Sequence, residues 1–153
     1  MLVSPLAVFA AAFAALFVAH QLADHWIQTD RQAARKALPG WPGRIACTWH
    51  VATYTATCAV LLTALHLAIG LPLPPAGTVA GLALSGLTHW LIDRRWPLIW
   101  LAEHTGSRTF VRMGAPRPGH DDNPSLGTGA YALDQSAHYL FLFLAALILA
   151  ACA

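Results

Sequence analysis

Histidine and aspartate recur at a fixed spacing in this sequence, with four residues from one member of a pair to the other. The pairs are His20 with Asp24, His89 with Asp93, and Asp134 with His138. Residues four apart lie on one face of an α-helix, so each pair presents an imidazole and a carboxylate side by side. Imidazole and carboxylate together suit Zn²⁺, Mn²⁺ or Fe²⁺, whereas Ca²⁺ and Mg²⁺ favour oxygen ligands alone. The pattern therefore predicts a site for one or two divalent metal ions.

The composition indicates that these pairs lie in a membrane protein. Of the 153 residues, 57% are hydrophobic and 10% are charged, against roughly a quarter charged in a soluble domain. Four stretches of one domain are predicted to be spanning helices, at residues 2–27, 45–69, 78–93 and 131–152. We predict an all-α integral membrane fold, an antiparallel four-helix bundle.

The basic residues predict the orientation of this bundle. All nine lysines and arginines fall in the connections 28–44 and 94–130. With an even number of spans both connections lie on one side, and the positive-inside rule makes that side cytoplasmic. We therefore predict a multi-pass protein of the bacterial inner (plasma) membrane, with both termini outside and membrane lipid around it. Within the second connection, the alternative for residues 96–102 is a short interfacial helix instead of a loop. The net charge of +2 is too small to indicate nucleic acid.

The order of histidine and aspartate within the pairs agrees with antiparallel packing. Helices one and three run towards the cytoplasm and reach histidine first, while helix four runs away from it and reaches aspartate first. The histidines of the pairs then form one layer, and the aspartates lie roughly 5 to 6 Å nearer the cytoplasm. His50, near the start of helix two, joins either layer. The predicted metal ligands are His20, Asp24, His89, Asp93, Asp134 and His138.

Further residues near this layer are predicted to have catalytic or supporting roles. Asp24, His50 and Asp134 are the candidate catalytic groups, and Gln28 and Tyr54 are candidates to support the ligands. Carboxylates near hydrocarbon cost a few kcal/mol each when no basic residue in the spans pairs with them, and a bound cation compensates that cost. The alternative is a polar network without metal, in which histidines hydrogen-bond aspartates across helices.

The motifs resemble those of a family of small bacterial and phage membrane proteins of unknown function. They run from His20 through Asp24 to Gln28, then His50 with Tyr54, His89 with Asp93, and Asp134-Gln135 with His138. The resemblance spans all four helices in order and implies a membrane fold. More loosely, the sequence is similar to the membrane-bound metal-dependent hydrolases of bacterial inner membranes, which carry histidine and aspartate motifs at helix ends. That second likeness implies a hydrolase.

These observations predict a metal-dependent hydrolase at the cytoplasmic membrane face, with a lipid-linked phosphoester as its substrate. Arg44, Arg94 and Arg95 are the candidates to hold the phosphate. Arg94 and Arg95 are also candidate ion-pair partners of Asp93. The alternatives are a divalent-metal or proton transporter or sensor, and a non-catalytic membrane module with a structural polar core. Small residues such as Gly81 favour close helix contacts and allow a homo-oligomer.

Overall fold

The fold is known from a computed structural model. The described residues are 4–117, 119 and 127–153. Every regular element in these ranges is a helix, which confirms the predicted all-α class. Residue 2, the predicted start of the first helix, lies outside the described residues, as do residues 118 and 120–126 of the second basic connection.

The described chain forms seven α-helices and one π-helical turn. They are α1 (Pro5–Leu22), the π-helical turn (Ala23–Ile27), α2 (Asp30–Arg35), α3 (Gly40–Ile69), α4 (Pro75–Asp93), α5 (Trp96–His104), α6 (Arg108–Val111) and α7 (Gly129–Ala151). Helices α1, α3, α4 and α7 correspond to the four predicted stretches. The two basic connections are more structured than predicted, because they contain α2, α5 and α6.

Local capping chemistry places several helix starts earlier than the apolar pattern does. Helix α3 begins at Gly40 instead of residue 45. Pro42 lies in its first turn, where a backbone N–H has no intrahelical partner to lose. Pro75 opens α4 for the same reason. Thr128 caps α7, since its hydroxyl accepts a hydrogen bond from a first-turn N–H at 3.1 Å.

Three of the described helical stretches are long and apolar enough to cross a membrane. They cover Pro5–Ile27, Gly40–Ile69 and Gly129–Ala151. Large apolar side chains such as Leu6 and Val60 are exposed along them, as expected of helices that face lipid. These spans support the membrane location that the composition predicts. Helix α4 is not among them, and it is the helix that carries His89 and Asp93.

The long helices enclose a small apolar core. Helix α1 packs against α3 and α7, and α4 packs against the same two helices. Leu16, Leu62, Leu142 and Leu149 are almost fully buried where these helices meet, with alanines between them. Close packing of this kind is the main attraction between helices that are all surrounded by lipid.

Helices α4 and α7 approach each other closely at two glycines. A Cβ atom on Gly81 would lie 2.8 Å from the carbonyl oxygen of Ala145, and one on Gly77 would lie 2.7 Å from Cβ of Cys152. A side chain of any size would push the two helices apart. The close contact predicted for Gly81 is therefore made within one chain, and the homo-oligomer stays a prediction.

Helix α5 exposes large apolar side chains, as an interfacial helix does. Trp96, Ile99 and Trp100 are all exposed on it. Near its end, Glu103 accepts a hydrogen bond from the Arg112 guanidinium at 2.8 Å, which lowers the pKa of the Glu103 carboxyl. This pair joins α5 to the segment that follows α6.

We expect Gly81→Val to destabilise the fold by about 1 to 3 kcal/mol, because the added methyl groups collide with the α7 backbone at Ala145. Thermal unfolding in detergent measures this effect. Ala83→Val places the same side chain at an exposed position of α4 and is the matched control. Equal melting temperatures for the two variants would contradict the close contact between α4 and α7.

Candidate metal centre

Four histidines from four different helices meet in one buried cluster, the histidine cluster. His20 lies on α1, His50 on α3, His89 on α4 and His138 on α7, and each is at most 3% exposed. The ring centroids of His89 and His138 are 4.4 Å apart, and those of His20 and His138 are 4.8 Å apart. His50 adjoins the group, with its centroid 5.0 Å from that of His89. The structure thus brings His50 together with the three histidines of the predicted layer.

Two aspartates flank the pair formed by His50 and His89. The Nε2 atoms of these two rings are 3.0 Å apart. Oδ1 of Asp24 lies 3.3 Å from Nε2 of His50 and 3.5 Å from Nε2 of His89. Oδ2 of Asp93 lies 3.2 Å and 3.3 Å from the same two nitrogens. Each aspartate therefore closes a triangle of ligand-type atoms on one shared edge.

The carboxylate–imidazole separations are close to the spacing of ligand atoms around a small metal ion, whereas the Nε2–Nε2 distance of 3.0 Å is that of a hydrogen bond. Ligands bonded at about 2.0 to 2.2 Å in a tetrahedron lie roughly 3.3 to 3.6 Å from one another. The carboxylate–imidazole distances in both triangles are 3.2 to 3.5 Å. They exceed the roughly 2.7 to 2.9 Å of a charge-assisted hydrogen bond, so hydrogen bonding explains them poorly. Imidazole with carboxylate is a donor set that fits Zn²⁺, Mn²⁺ or Fe²⁺.

Hydrogen bonding also leaves the histidine cluster and its two aspartates unsatisfied. With both rings neutral, one hydrogen lies between the Nε2 atoms of His50 and His89, and it cannot serve two carboxylates as well. The buried ligand-type atoms without a hydrogen-bond partner are Nε2 of His20 and His138, Nδ1 of His50 and His89, Oδ1 of Asp24 and Oδ2 of Asp93. Each such atom costs about 1 to 3 kcal/mol. These buried groups are therefore ones that could hold a metal ion.

A second group of ring nitrogens lies beside the first. His20, His89 and His138 each offer one nitrogen, and these nitrogens lie within 4.8 Å of one another. His89 belongs both to this group and to the triangle with Asp24. Its ring is stacked on that of Tyr54, with 4.0 Å between the centroids. Tyr54, predicted to support the ligands, thus packs against the one histidine that both groups share.

The π-helical turn changes the helical register between Asp24 and Gln28. The N–H of Gln28 bonds to the carbonyl of Ala23 at 2.9 Å, so this turn holds one residue more than an α-helical turn. The turn breaks the register that would place Gln28 on the same face as His20 and Asp24. Nε2 of Gln28, which was predicted to support a ligand, is buried without a hydrogen-bond partner.

Asp134 does not enter either group, although its spacing from His138 predicts a ligand and catalytic group. Its Oδ2 is 3.5 Å from Nδ1 of His138, and its backbone carbonyl is 2.9 Å from that same nitrogen. The Asp134 side chain is 23% exposed. The four-residue spacing places the Asp134 carboxylate beside Nδ1 of His138, because the ring turns its other nitrogen, Nε2, into the interior. Asp134 therefore orients His138 instead of joining the ligands.

Lys36 supplies a positive charge that the spacing of the pairs does not reveal. Its Nζ lies 2.8 Å from Oδ1 of Asp93, and both residues are buried. Lys36 is the only lysine of the chain and lies in the connection that follows α2. The prediction of carboxylates without a basic partner considered only the spans, and it overlooked this partner from outside them. Lys36 also takes the ion-pair role that was predicted for Arg94 or Arg95. A single lysine among arginines was the one available signal.

Arg94, predicted to hold a phosphate, is buried and holds the connection that carries Lys36. Its guanidinium donates hydrogen bonds to the backbone carbonyls of Lys36 and Leu38. It also lies 5.8 Å from the ring centroid of Trp90. We call these two hydrogen bonds the arginine clasp. Gly43 makes room for it, since a Cβ atom there would lie 2.7 Å from Nη1 of Arg94.

The other two arginines predicted to hold a phosphate lie at the surface. Arg44 covers the ring of Trp41, with 5.4 Å from its guanidinium carbon to the ring centroid. Arg95 is exposed at the turn between α4 and α5, where its φ of 58° lies in the left-handed region. Neither makes a described hydrogen bond to the histidine cluster.

A groove between α2 and α3 gathers two other arginines. It has a volume of about 430 Å³. Its lining residues are Thr29, Arg31, Gln32, Arg35, Pro42, Ile45, Ala46 and Trp49. Trp49 directly precedes His50 along α3, so the groove lies at the same end of the molecule as the histidine cluster. We call it the arginine groove.

The whole site lies within one recognised sequence family. Residues 12–152 match the family DUF3307, which is described as a protein of unknown function. The chain belongs to this family. Membership of DUF3307 confirms the predicted family of unknown function, while the looser likeness to hydrolases stays a prediction. No curated protein and no solved structure matches the chain.

In chelator-treated protein, we expect Lys36→Met to lower the free energy of unfolding by about 3 to 5 kcal/mol, because it leaves Asp93 buried and unpaired. Denaturant unfolding in detergent measures the change. The double variant Lys36→Met, Asp93→Asn removes both charges and should recover most of the loss. Arg35→Met changes an exposed neighbouring cation and is the control. Additive effects of the two single changes would contradict the ion pair.

Proposed function

We propose that this protein is a membrane-embedded hydrolase that uses a divalent cation held by Asp24, His50 and His89, with Asp93 beside them. The observation that carries the proposal is the triangle of Asp24 Oδ1 and the two Nε2 atoms, with edges of 3.0 to 3.5 Å. A structural polar core needs hydrogen bonds, and Oδ1 of Asp24 is buried here without one. Three protein ligands with a further position left open are typical of catalytic metal sites.

The residues around Asp24, His50 and His89 contribute to cation binding in different ways. When bound, the cation polarises a phosphoryl or acyl oxygen and makes a coordinated water a stronger nucleophile. Asp24 and Asp93 supply the negative charge that balances it. Lys36 holds Oδ1 of Asp93 at 2.8 Å, so Oδ2 stays turned towards the two histidines. Tyr54 keeps the ring of His89 in place by stacking on it.

The arginine groove suggests the substrate class. Arg31 and Arg35 provide two positive charges at its rim, and Ile45 and Trp49 provide an apolar wall. A phosphate on a lipid chain matches both properties, because guanidinium groups bind phosphate strongly and the chain remains in the hydrocarbon. We therefore propose a lipid-linked phosphoester as the substrate.

The buried residues away from the histidine cluster argue for chemistry at one face of the membrane. Among the described residues, the buried side chains nearer the opposite end include Val8, Ala12, Leu62, Ala146 and Leu149. A transport path needs polar groups along its length, and this core offers apolar surface instead.

The proposed topology adds α4 as a fourth, short span. Its 19 residues cover roughly 28 Å, close to the thickness of a hydrocarbon core. Its polar residues His89 and Asp93 are buried against neighbouring helices, so they need not face lipid. Four antiparallel spans place the two basic connections on the cytoplasmic side of a bacterial inner membrane and both termini outside.

We expect the detergent-purified protein to hydrolyse a lipid-linked phosphoester only after loading with Zn²⁺ or Mn²⁺. His50→Ala and Asp24→Asn should each lower the rate at least a hundredfold and reduce metal content, since each removes a ligand. Phosphate release from phospholipid and isoprenoid-phosphate substrates measures the rate, and elemental analysis measures the metal.

The control for both measurements is His66→Ala. His66 is exposed near the other end of α3, so its loss should leave metal content and rate unchanged. Protein that retains no metal after loading would overturn the metal centre. Protein that binds metal but releases no product across the substrate panel would overturn the hydrolase and leave the metal centre standing.

Labelling of Cys152 tests the orientation. Cys152 is exposed near the C-terminus, whereas Cys47 and Cys58 are buried. With both termini outside, a membrane-impermeant maleimide should label Cys152 in right-side-out vesicles, and mass spectrometry detects the adduct. Cys152→Ser should abolish the label. Labelling restricted to inside-out vesicles would overturn the proposed orientation.

A further inference from the structure

Two buried histidine nitrogens remain outside the cation position of the proposed function. They are Nε2 of His20 and Nε2 of His138, in side chains that are 0% and 3% exposed. Neither has a hydrogen-bond partner. The two rings are tilted by 50° with 4.8 Å between centroids, and together with His89 they bring three nitrogens within 4.8 Å of one another. Unpaired nitrogens at this density and depth indicate a ligand.

The carboxylate of Asp24 reaches towards both groups. Its Oδ1 lies against Nε2 of His50 and of His89. Its Oδ2 lies 3.5 Å from Nε2 of His20. A carboxylate that offers one oxygen to each of two neighbouring positions is the usual bridge between paired metal ions, which lie roughly 3.5 to 4 Å apart.

Helix α7 presents the His138 ring in the form that a metal requires. The backbone carbonyl of Asp134 lies 2.9 Å from Nδ1 of His138. A carbonyl oxygen only accepts hydrogen bonds, so Nδ1 carries the hydrogen and Nε2 keeps a free lone pair. The Asp134 carboxylate at 3.5 Å reinforces this state. A partner of this kind on the outer nitrogen is typical of metal-binding histidine.

We propose that His20, His138 and Oδ2 of Asp24 form a second divalent cation position beside the first, with Asp24 as the bridge and His89 between the two. This inference rests on the proposed function, since the first position supplies the neighbouring ion. Two imidazoles and a carboxylate oxygen, beside the His89 ring that belongs to the first position, suit Zn²⁺ or Mn²⁺. Paired ions stabilise both the attacking and the leaving oxygen of a phosphoester, so the second position favours phosphoesters over carboxylic esters.

The test is the number of ions per chain in the full-length, detergent-purified protein. After loading with Mn²⁺ and desalting, elemental analysis should give two ions per chain, and His138→Gln should reduce this to one. Asp134→Asn should weaken the second ion about tenfold, because it removes a partner of a ligand and no ligand. His66→Ala should retain two ions.

Electron paramagnetic resonance of the Mn²⁺-loaded protein adds a readout that a structural role alone would not change. Two bridged ions give a spin-coupled spectrum, and His138→Gln should convert it to that of an isolated ion. His20→Asn should do the same, and thermal unfolding shows whether each variant is folded. If His138→Gln fails to fold, His20→Asn and Asp134→Asn decide the question.

The outcomes separate the two proposals. One ion per chain in the unchanged protein, with no further loss in folded His138→Gln or His20→Asn, overturns the second position and leaves the first standing. Loss of both ions from a folded second-position variant overturns the idea of two separable positions. No ion in the unchanged protein overturns the proposed function as well.

Discussion

The structure depends on burying two aspartates among four imidazoles in a chain that is mostly apolar. A carboxylate near hydrocarbon is unfavourable by several kcal/mol unless positive charge or hydrogen-bond donors surround it. Asp93 has Lys36 at 2.8 Å, whereas the described ion-pair partners of Asp24 are imidazole nitrogens at 3.3 Å or more. Asp24 thus has less positive charge beside it than Asp93 has, which leaves room for a cation next to Asp24. The need to surround both acids explains why α1, α3, α4 and α7 converge at one point.

The same constraint accounts for the division of the molecule into two ends. Polar side chains on α4 are enclosed by α3 and α7, so this helix carries histidine and aspartate that a lipid-exposed helix would not tolerate. At the other end of α4, glycine lets α7 come close, as Gly81 shows. Close packing against α7 therefore holds α4 around Gly81, and polar contacts hold it around His89 and Asp93. Helix α4 is consequently the one of the four long helices that lacks a stretch long and apolar enough to count as a membrane span.

The sequence predicts the helices well, because apolar length and helix-capping residues are local signals. It also predicts that His20, His89 and His138 meet, since four-residue spacing and antiparallel order need no detailed packing. Three features depend on geometry that no spacing contains. Lys36 arrives from a connection, the π-helical turn changes the register after Asp24, and the Asp134 side chain reaches the outer nitrogen of its neighbour. Each is set by one local backbone conformation, and a pattern that assumes ideal α-helices cannot anticipate it.

The arginine clasp makes the stretch between α2 and α3 part of the packed structure around the site. Arg94 donates hydrogen bonds to two carbonyls of this stretch, and Gly43 leaves space for the guanidinium. The stretch is therefore held in place beside the site instead of being a flexible linker between helices. An inserted tag or an added side chain there would pull the single lysine from its acid. At Gly106, by contrast, nothing lies within 4 Å of the missing side chain. In the described parts of the two basic connections, a group added at Gly43 therefore meets backbone and the Arg94 side chain, whereas at Gly106 the space is open and only the φ of 84° favours glycine.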